Sequence, residues 1–172
     1  MENKNSQVSF EYLIIFGISF LIILISFYYF STEMIISNGE ISKEQVSKIG
    51  NTLISNIEKV YFNGEGSRLT YKLKFPNNIN DMYVQNVNGI SVLFFNISIG
   101  DINTLSYFYS NYDNLKFNLS PNNEIIFNST TNITRFNKSY YYSSGIKNIK
   151  LISRGDYVEI CIFTYNSNKD SC

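Results

Sequence analysis

Histidine and tryptophan are both absent from the 172 residues of this chain. Without histidine, the side chain that most readily shuttles protons or binds metals near neutral pH is missing. Cysteine is scarce as well. Cys161 and Cys172 are the only two, and both lie at the C-terminal end. No CxxC pattern or Cys/His cluster can form, so a structural zinc site lacks soft ligands. Charge is low and balanced, 14 basic residues against 14 acidic ones. The basic residues are scattered, so no positive field exists to hold a nucleic acid. A glycine-rich phosphate loop, an HExxH helix and a paired-carboxylate motif are all missing. Asp81, Asp101, Asp113, Glu124, Asp156 and Glu159 stand apart from one another, and no EF-hand pattern joins them. The expectation is a chain that is not an enzyme and carries no cofactor and no metal.

What the chain does have is a long apolar run. Leu13 to Phe30 reads LIIFGISFLIILISFYYF, 18 residues without a charge. As a helix it rises about 27 Å, close to the hydrocarbon thickness of a bilayer. Tyr28, Tyr29 and Phe30 close it as an interfacial aromatic belt would. The polar segment MENKNSQVSFE precedes it, and STEMIISNGE follows without a small-x-small cleavage site. A retained membrane helix therefore fits better than a cleaved secretory signal. Gln7, Ser9 and Glu11 alternate with Val8 and Phe10 at the edge of this run. The bland account of Glu11 is a headgroup-level carboxylate, since the cost of a charge falls away from the bilayer centre.

The order Gln7-Val8-Ser9-Phe10-Glu11, then Tyr12-Leu13-Ile14-Ile15, resembles the archaeal class III signal peptide of type IV pilin-like proteins. The likeness covers roughly the first 30 residues. It implies that a prepilin peptidase cuts between Ser6 and Gln7, removing a leader of residues 1–6 on the cytoplasmic side. This leader ends Asn5-Ser6, where family leaders end in Gly or Ala after a basic residue; serine is also small. The resemblance further implies that Glu11 pairs with the freed amino group of a neighbouring subunit. A carboxylate in an apolar bundle is unfavourable unless paired. Other pilin subunits, an assembly ATPase and a membrane platform are the implied partners, with the membrane as the site before assembly.

Residues 31–62 read as an amphipathic helix. Val46, Ile49, Leu53, Ile57 and Val60 recur at three- and four-residue steps. Ser37-Asn38-Gly39 reads as a kink or break, and Ser42-Lys43-Glu44-Gln45 as a capping box that restarts the helix. Asn63-Gly64-Glu65-Gly66 ends it. Residues 67–172 read as a β-rich head. Leu69, Tyr71, Leu73 and Phe75 alternate with polar residues, and Asn88-Gly89 signals a hairpin between Met82–Val87 and Ile90–Ile99. Further strands are expected at Leu115–Leu119, Glu124–Phe127, Tyr140–Tyr142, Ile146–Ile152 and Tyr157–Tyr165. The fold class is α+β: a long N-terminal helix, transmembrane over 7–30 and amphipathic beyond, then an antiparallel sheet or small sandwich.

Asn-x-Ser/Thr patterns begin at Asn96, Asn118, Asn128, Asn132 and Asn137. An exported head can carry glycans at such sites; Asn118 runs into Leu-Ser-Pro, a poor context, and the other four are the candidates. Cys161 and Cys172 are a candidate disulfide that would pin the tail. Arg154-Gly155-Asp156 has the form of an integrin-type motif, but a hairpin turn explains it more simply. The 14 tyrosines offer a stacking or glycan-binding surface, and packing accounts for most of them. The expectation is a structural subunit, minor or adhesive, of an archaeal type IV pilus-like surface filament. It would cross the membrane once with a cytoplasmic N-terminus before entering the extracellular filament. The alternative is a singly anchored surface-binding domain that never polymerises.

Overall fold

The computed structural model describes residues 3–99, 102–112 and 115–163. Among these residues one α-helix, α1 (Asn3–Phe62), is followed by nine strands. The chain divides into two compact units, residues 1–38 and 39–172.

The first unit is helical from Asn3, and every residue from Phe10 to Phe30 is exposed. It is long and apolar enough to cross a membrane. Three of its serine hydroxyls are satisfied within the helix. Ser19, Ser26 and Ser31 donate to the carbonyls of Ile15, Ile22 and Phe27 at 2.8, 2.8 and 2.9 Å. In hydrocarbon an unpaired hydroxyl would be costly, and bonding one turn back removes that cost within the helix itself.

In the second unit, residues 39–62 of α1 join two sheets around one core. The expected stripe holds: Val46, Ile49, Leu53, Ile57 and Val60 are all buried, with Ile54 beside them. The expected break and capping box do not occur, because α1 continues through Ser37-Asn38-Gly39. Gly39 serves instead as a close-approach residue. A Cβ there would lie 2.1 Å from Cγ2 of Ile99, so a larger residue would push the helix off the strand. Gly50 does the same against Phe108, whose ring would come within 2.4 Å. Ser42 is buried, and its hydroxyl accepts from Asn78 Nδ2 at 3.3 Å rather than capping a helix. Tertiary packing overrides the local breaker signal here. Ser67 caps the far end, donating from its hydroxyl to the Val60 carbonyl at 2.5 Å.

The strands are β1 (Arg68–Phe75), β2 (Ile79–Val87), β3 (Ile90–Ile99), β4 (Ile102–Tyr109), β5 (Lys116–Leu119), β6 (Ile125–Asn128), β7 (Ile133–Phe136), β8 (Gly145–Ser153) and β9 (Tyr157–Phe163). They form a four-stranded sheet ordered β1-β8-β9-β5 and a five-stranded sheet ordered β4-β3-β2-β7-β6. All pairings are antiparallel except β5 with β9. The Asn88-Gly89 hairpin joins β2 to β3 as expected, both residues having positive φ. β4 and β7 were not expected from the sequence. The expected strand at Tyr140–Tyr142 is instead a 3-10 turn, Ser139–Tyr141, whose Tyr141 ring stacks on Phe136 with centroids 4.8 Å apart. Stacking and burial take the place of a strand ladder there.

The end of β9 is held by side chains. The parallel partner β5 stops at Leu119, and the buried Asn123 takes over. Its Nδ2 donates to the Ile162 carbonyl at 2.6 Å, and its Oδ1 accepts from the Ile162 N–H at 3.0 Å. The Glu159 carboxylate is buried at 3% exposure. Arg154 reaches it through Nε at 2.7 Å and through a terminal nitrogen at 2.6 Å, and Ser120 donates its hydroxyl to the other oxygen. A buried carboxylate is tolerable when hydrogen-bonded and paired in this way.

Candidate functional site

The assembly residues named from sequence lie in the first unit. Ser6, Gln7 and Ser9 are described as helical backbone only. Glu11 is an exposed helical residue, and among the described residues it enters no ion pair. Around and beyond it, Phe10, Tyr12, Leu13 and Ile14 are exposed as well. The result is an acid at the head of an uncovered apolar rod.

The head sorts the candidate glycan acceptors by accessibility. The pattern at Asn118 ends in Ser120, which is fully buried and bonded to Glu159. Asn132 is itself exposed, with φ 51, but its pattern ends in the buried Thr134. Asn96 lies half-buried in mid-strand β3, opposite Asp81 on one side and Leu105 on the other. Asn128 and Asn137 are exposed on the head surface. Asn128 heads a turn in which its Oδ1 accepts from the Thr130 N–H at 3.0 Å. A folded head therefore offers Asn128 and Asn137 most openly to a modifying enzyme. Sequence context set aside Asn118 alone; the order among the other four was hidden there.

Cys161 is disulfide-bonded and buried. The one other cysteine of the sequence, Cys172, lies outside the described residues. Arg154-Gly155-Asp156 forms the β8–β9 hairpin, with Gly155 at φ 88 and the Arg154 N–H donating to the Tyr157 carbonyl at 2.9 Å. Its arginine is committed to Glu159. The lone carboxylates Asp81 and Glu124 are paired with Arg135 at 3.7 Å and Lys138 at 2.7 Å. Asp101 and Asp113 lie outside the described residues. Among the described residues no three carboxylate or thiol side chains converge as metal ligands would.

Two head features escaped sequence reasoning. One is a row across the outer face of the five-stranded sheet. Arg135, Tyr83, Phe94 and Tyr107 are direct cross-strand neighbours. The Arg135 guanidinium sits 5.5 Å from the Tyr83 ring, which stacks on Phe94 at 5.0 Å. The other is a cleft of about 560 Å³ where β5 of one sheet faces β2, β6 and β7 of the other. Both arise from strand order, which no local signal in the sequence reveals.

Burial also tunes several head side chains. It pushes the Tyr71 phenol above its ordinary range, with the Asn56 amide pulling it partly back. Burial likewise raises Tyr141 to about 12. It lowers the Lys147 ammonium, which donates to the Tyr140 carbonyl at 2.5 Å and to the Ser143 hydroxyl at 3.0 Å.

No protein-family model, no curated protein and no solved structure matches the chain.

Proposed function

We propose that this chain is a non-enzymatic structural subunit, minor or adhesive, of an archaeal type IV pilus-like surface filament. The observation that carries the reading is the uncovered apolar helix with Glu11, in no ion pair among the described residues, at its head, read together with the Gln7-x-Ser9-x-Glu11 order. Such a rod needs lipid or other helices around it, and its acid needs a cation. Cleavage between Ser6 and Gln7 by a prepilin peptidase supplies that cation as a new amino terminus. Pairing it with Glu11 of the next subunit relieves the carboxylate and fixes the axial register of the filament. Transfer from lipid to a helix bundle has little hydrophobic drive. An ATPase and a membrane platform therefore supply the work. The β-rich head faces the exterior, where Asn128 and Asn137 are the glycan acceptors whose whole pattern is exposed and a disulfide can persist.

The test is Glu11→Ala in the native host. Membrane insertion is expected to survive and incorporation into filaments to stop. The wild-type filament protein is expected to begin at Gln7, or at its cyclised form. A wild-type chain that keeps Met1 and stays in the membrane supports the non-polymerising surface anchor instead. Normal filament incorporation of Glu11→Ala removes the pairing argument.

A further inference from the structure

The cleft between the two sheets carries its own chemistry. Its floor is apolar, built from Val84, Phe117, Leu119 and Ile125. Its volume of about 560 Å³ falls within the range of small-molecule sites, about 300–1,000 Å³. Phe127 is the unusual residue. It lies on the same face of β6 as Ile125, yet it is 60% exposed. A ring at that position stays open only because nothing of the described chain fills the cleft in front of it. Tyr157, from the start of β9, is a second exposed aromatic along the lining.

Asn132, Thr134 and Tyr157 bring groups that both give and accept, and the other polar side chains of the lining keep donors. The Asn86 Oδ1 is already used by the Gly89 N–H at 2.9 Å, and the Asn118 Oδ1 by the Leu119 N–H at 2.8 Å. Their Nδ2 groups keep two N–H donors each. Ser91 accepts from the Phe117 N–H at 3.1 Å, which leaves its hydroxyl proton to give. Lys116 adds an exposed ammonium, and among the described lining residues there is no carboxylate. Amide and hydroxyl donors with one cation suit a ligand rich in acceptors and negatively charged. Flat exposed rings suit the apolar faces of sugar rings.

An extended peptide suits the cleft less well. Adding a strand to β5 needs its outward N–H groups. Those of Phe117 and Leu119 are already taken by Ser91 and Asn118 side chains. That edge is closed to strand addition, while the side-chain donors remain.

We propose that the cleft between β5 and β6 binds a short acidic saccharide, with Phe127 and Tyr157 against the sugar rings and Lys116 on the carboxylate. This deepens the adhesive reading above and rests on the head facing the exterior. Its test needs neither export nor assembly, so the two can fail separately. The full chain, solubilised in detergent, is applied to an array carrying galacturonate oligomers, sialyl-lactose, neutral maltotriose and chitotriose, with inorganic phosphate as competitor. Retention of one or more acidic glycans is expected, with at least tenfold weaker binding after Phe127→Ala and after Lys116→Gln. Both side chains are exposed, and an unchanged melting curve shows that each variant is folded. Three results overturn the assignment: no acidic glycan retained, neutral glycans retained equally well, or both folded variants binding like wild type. Displacement by inorganic phosphate at the affinity of the glycan would also overturn it, by reducing the site to an anion hole.

Discussion

Asn123 holds the end of a central strand with one side chain, and its removal gives a sharp measure of the head's stability. In Asn123→Ala both the N–H and the carbonyl of Ile162 lose their partner, at 3.0 and 2.6 Å. Ile162 is fully buried and Asn123 nearly so, so water does not replace the amide without rearrangement. Each buried backbone group left unpaired costs about 1–3 kcal/mol, giving for the two a loss of about 2–6 kcal/mol. For a domain of this size that corresponds to a fall in Tm of roughly 5–20 °C. Asn123→Asp separates the two bonds. It keeps an acceptor for the Ile162 N–H but sets a carboxylate against the Ile162 carbonyl, so it should cost at least as much. Asn103→Ala, which removes only an exposed bond to Asn80, is the control and should stay within about 0.5 kcal/mol. With no tryptophan in the chain, far-UV circular dichroism and tyrosine fluorescence of the solubilised protein follow the unfolding. An Asn123→Ala protein within about 0.5 kcal/mol of wild type would refute the idea that this amide substitutes for a strand partner.

Gly50→Ala should lower stability, by up to about 2 kcal/mol, although the same change in an open helix gains about 1 kcal/mol. The new Cβ would stand 2.4 Å from the Phe108 ring, against the 3.4 Å of ordinary contact, so the ring must retreat by 3.4 − 2.4 = 1.0 Å. A rise in Tm would show that β4 yields freely. Alkaline unfolding should set in above pH 10. The Tyr141 phenol, near 12 in the fold and about 10 unfolded, contributes stability that is complete below pH 10 and is lost as pH rises toward 12. Tyr71 acts in the same direction. Lys147 opposes them: its lowered folded value means stability is gained as pH climbs toward 10.5. Tyr71→Phe should flatten the alkaline loss and cost little at neutral pH, because the Asn56 amide that acts on its buried hydroxyl stands outside good hydrogen-bonding geometry. An unchanged pH profile in that variant would assign the loss to other groups.

Local pattern made much of this molecule legible. The apolar run, the stripe from Val46 to Val60, the alternation of β1 and the Asn88-Gly89 turn each depend on neighbours a few residues apart, and each appears as expected. The misreadings have one cause. Gly39 reads as a breaker by propensity, yet it stays helical because Ile99, far along the chain, packs where a side chain would be. Tyr140–Tyr142 has strand composition, yet Phe136 and burial fold it into a turn. β4 was missed because Leu105, Tyr107 and Tyr109 point outward, which inverts the usual apolar-inward pattern.

The sequence by itself determined a helix that is greasy first and one-sided later, an acid at its threshold, and a strand-rich remainder. Those properties follow from composition and short-range periodicity. Only the tertiary structure decided that β5 leaves the five-stranded sheet to run parallel with β9, that Asn123 completes that strand, and that an open, donor-lined cleft forms beside it. Such features depend on which distant strands become neighbours. Strand pairing is fixed by the packing of the whole core, so no window of sequence contains it.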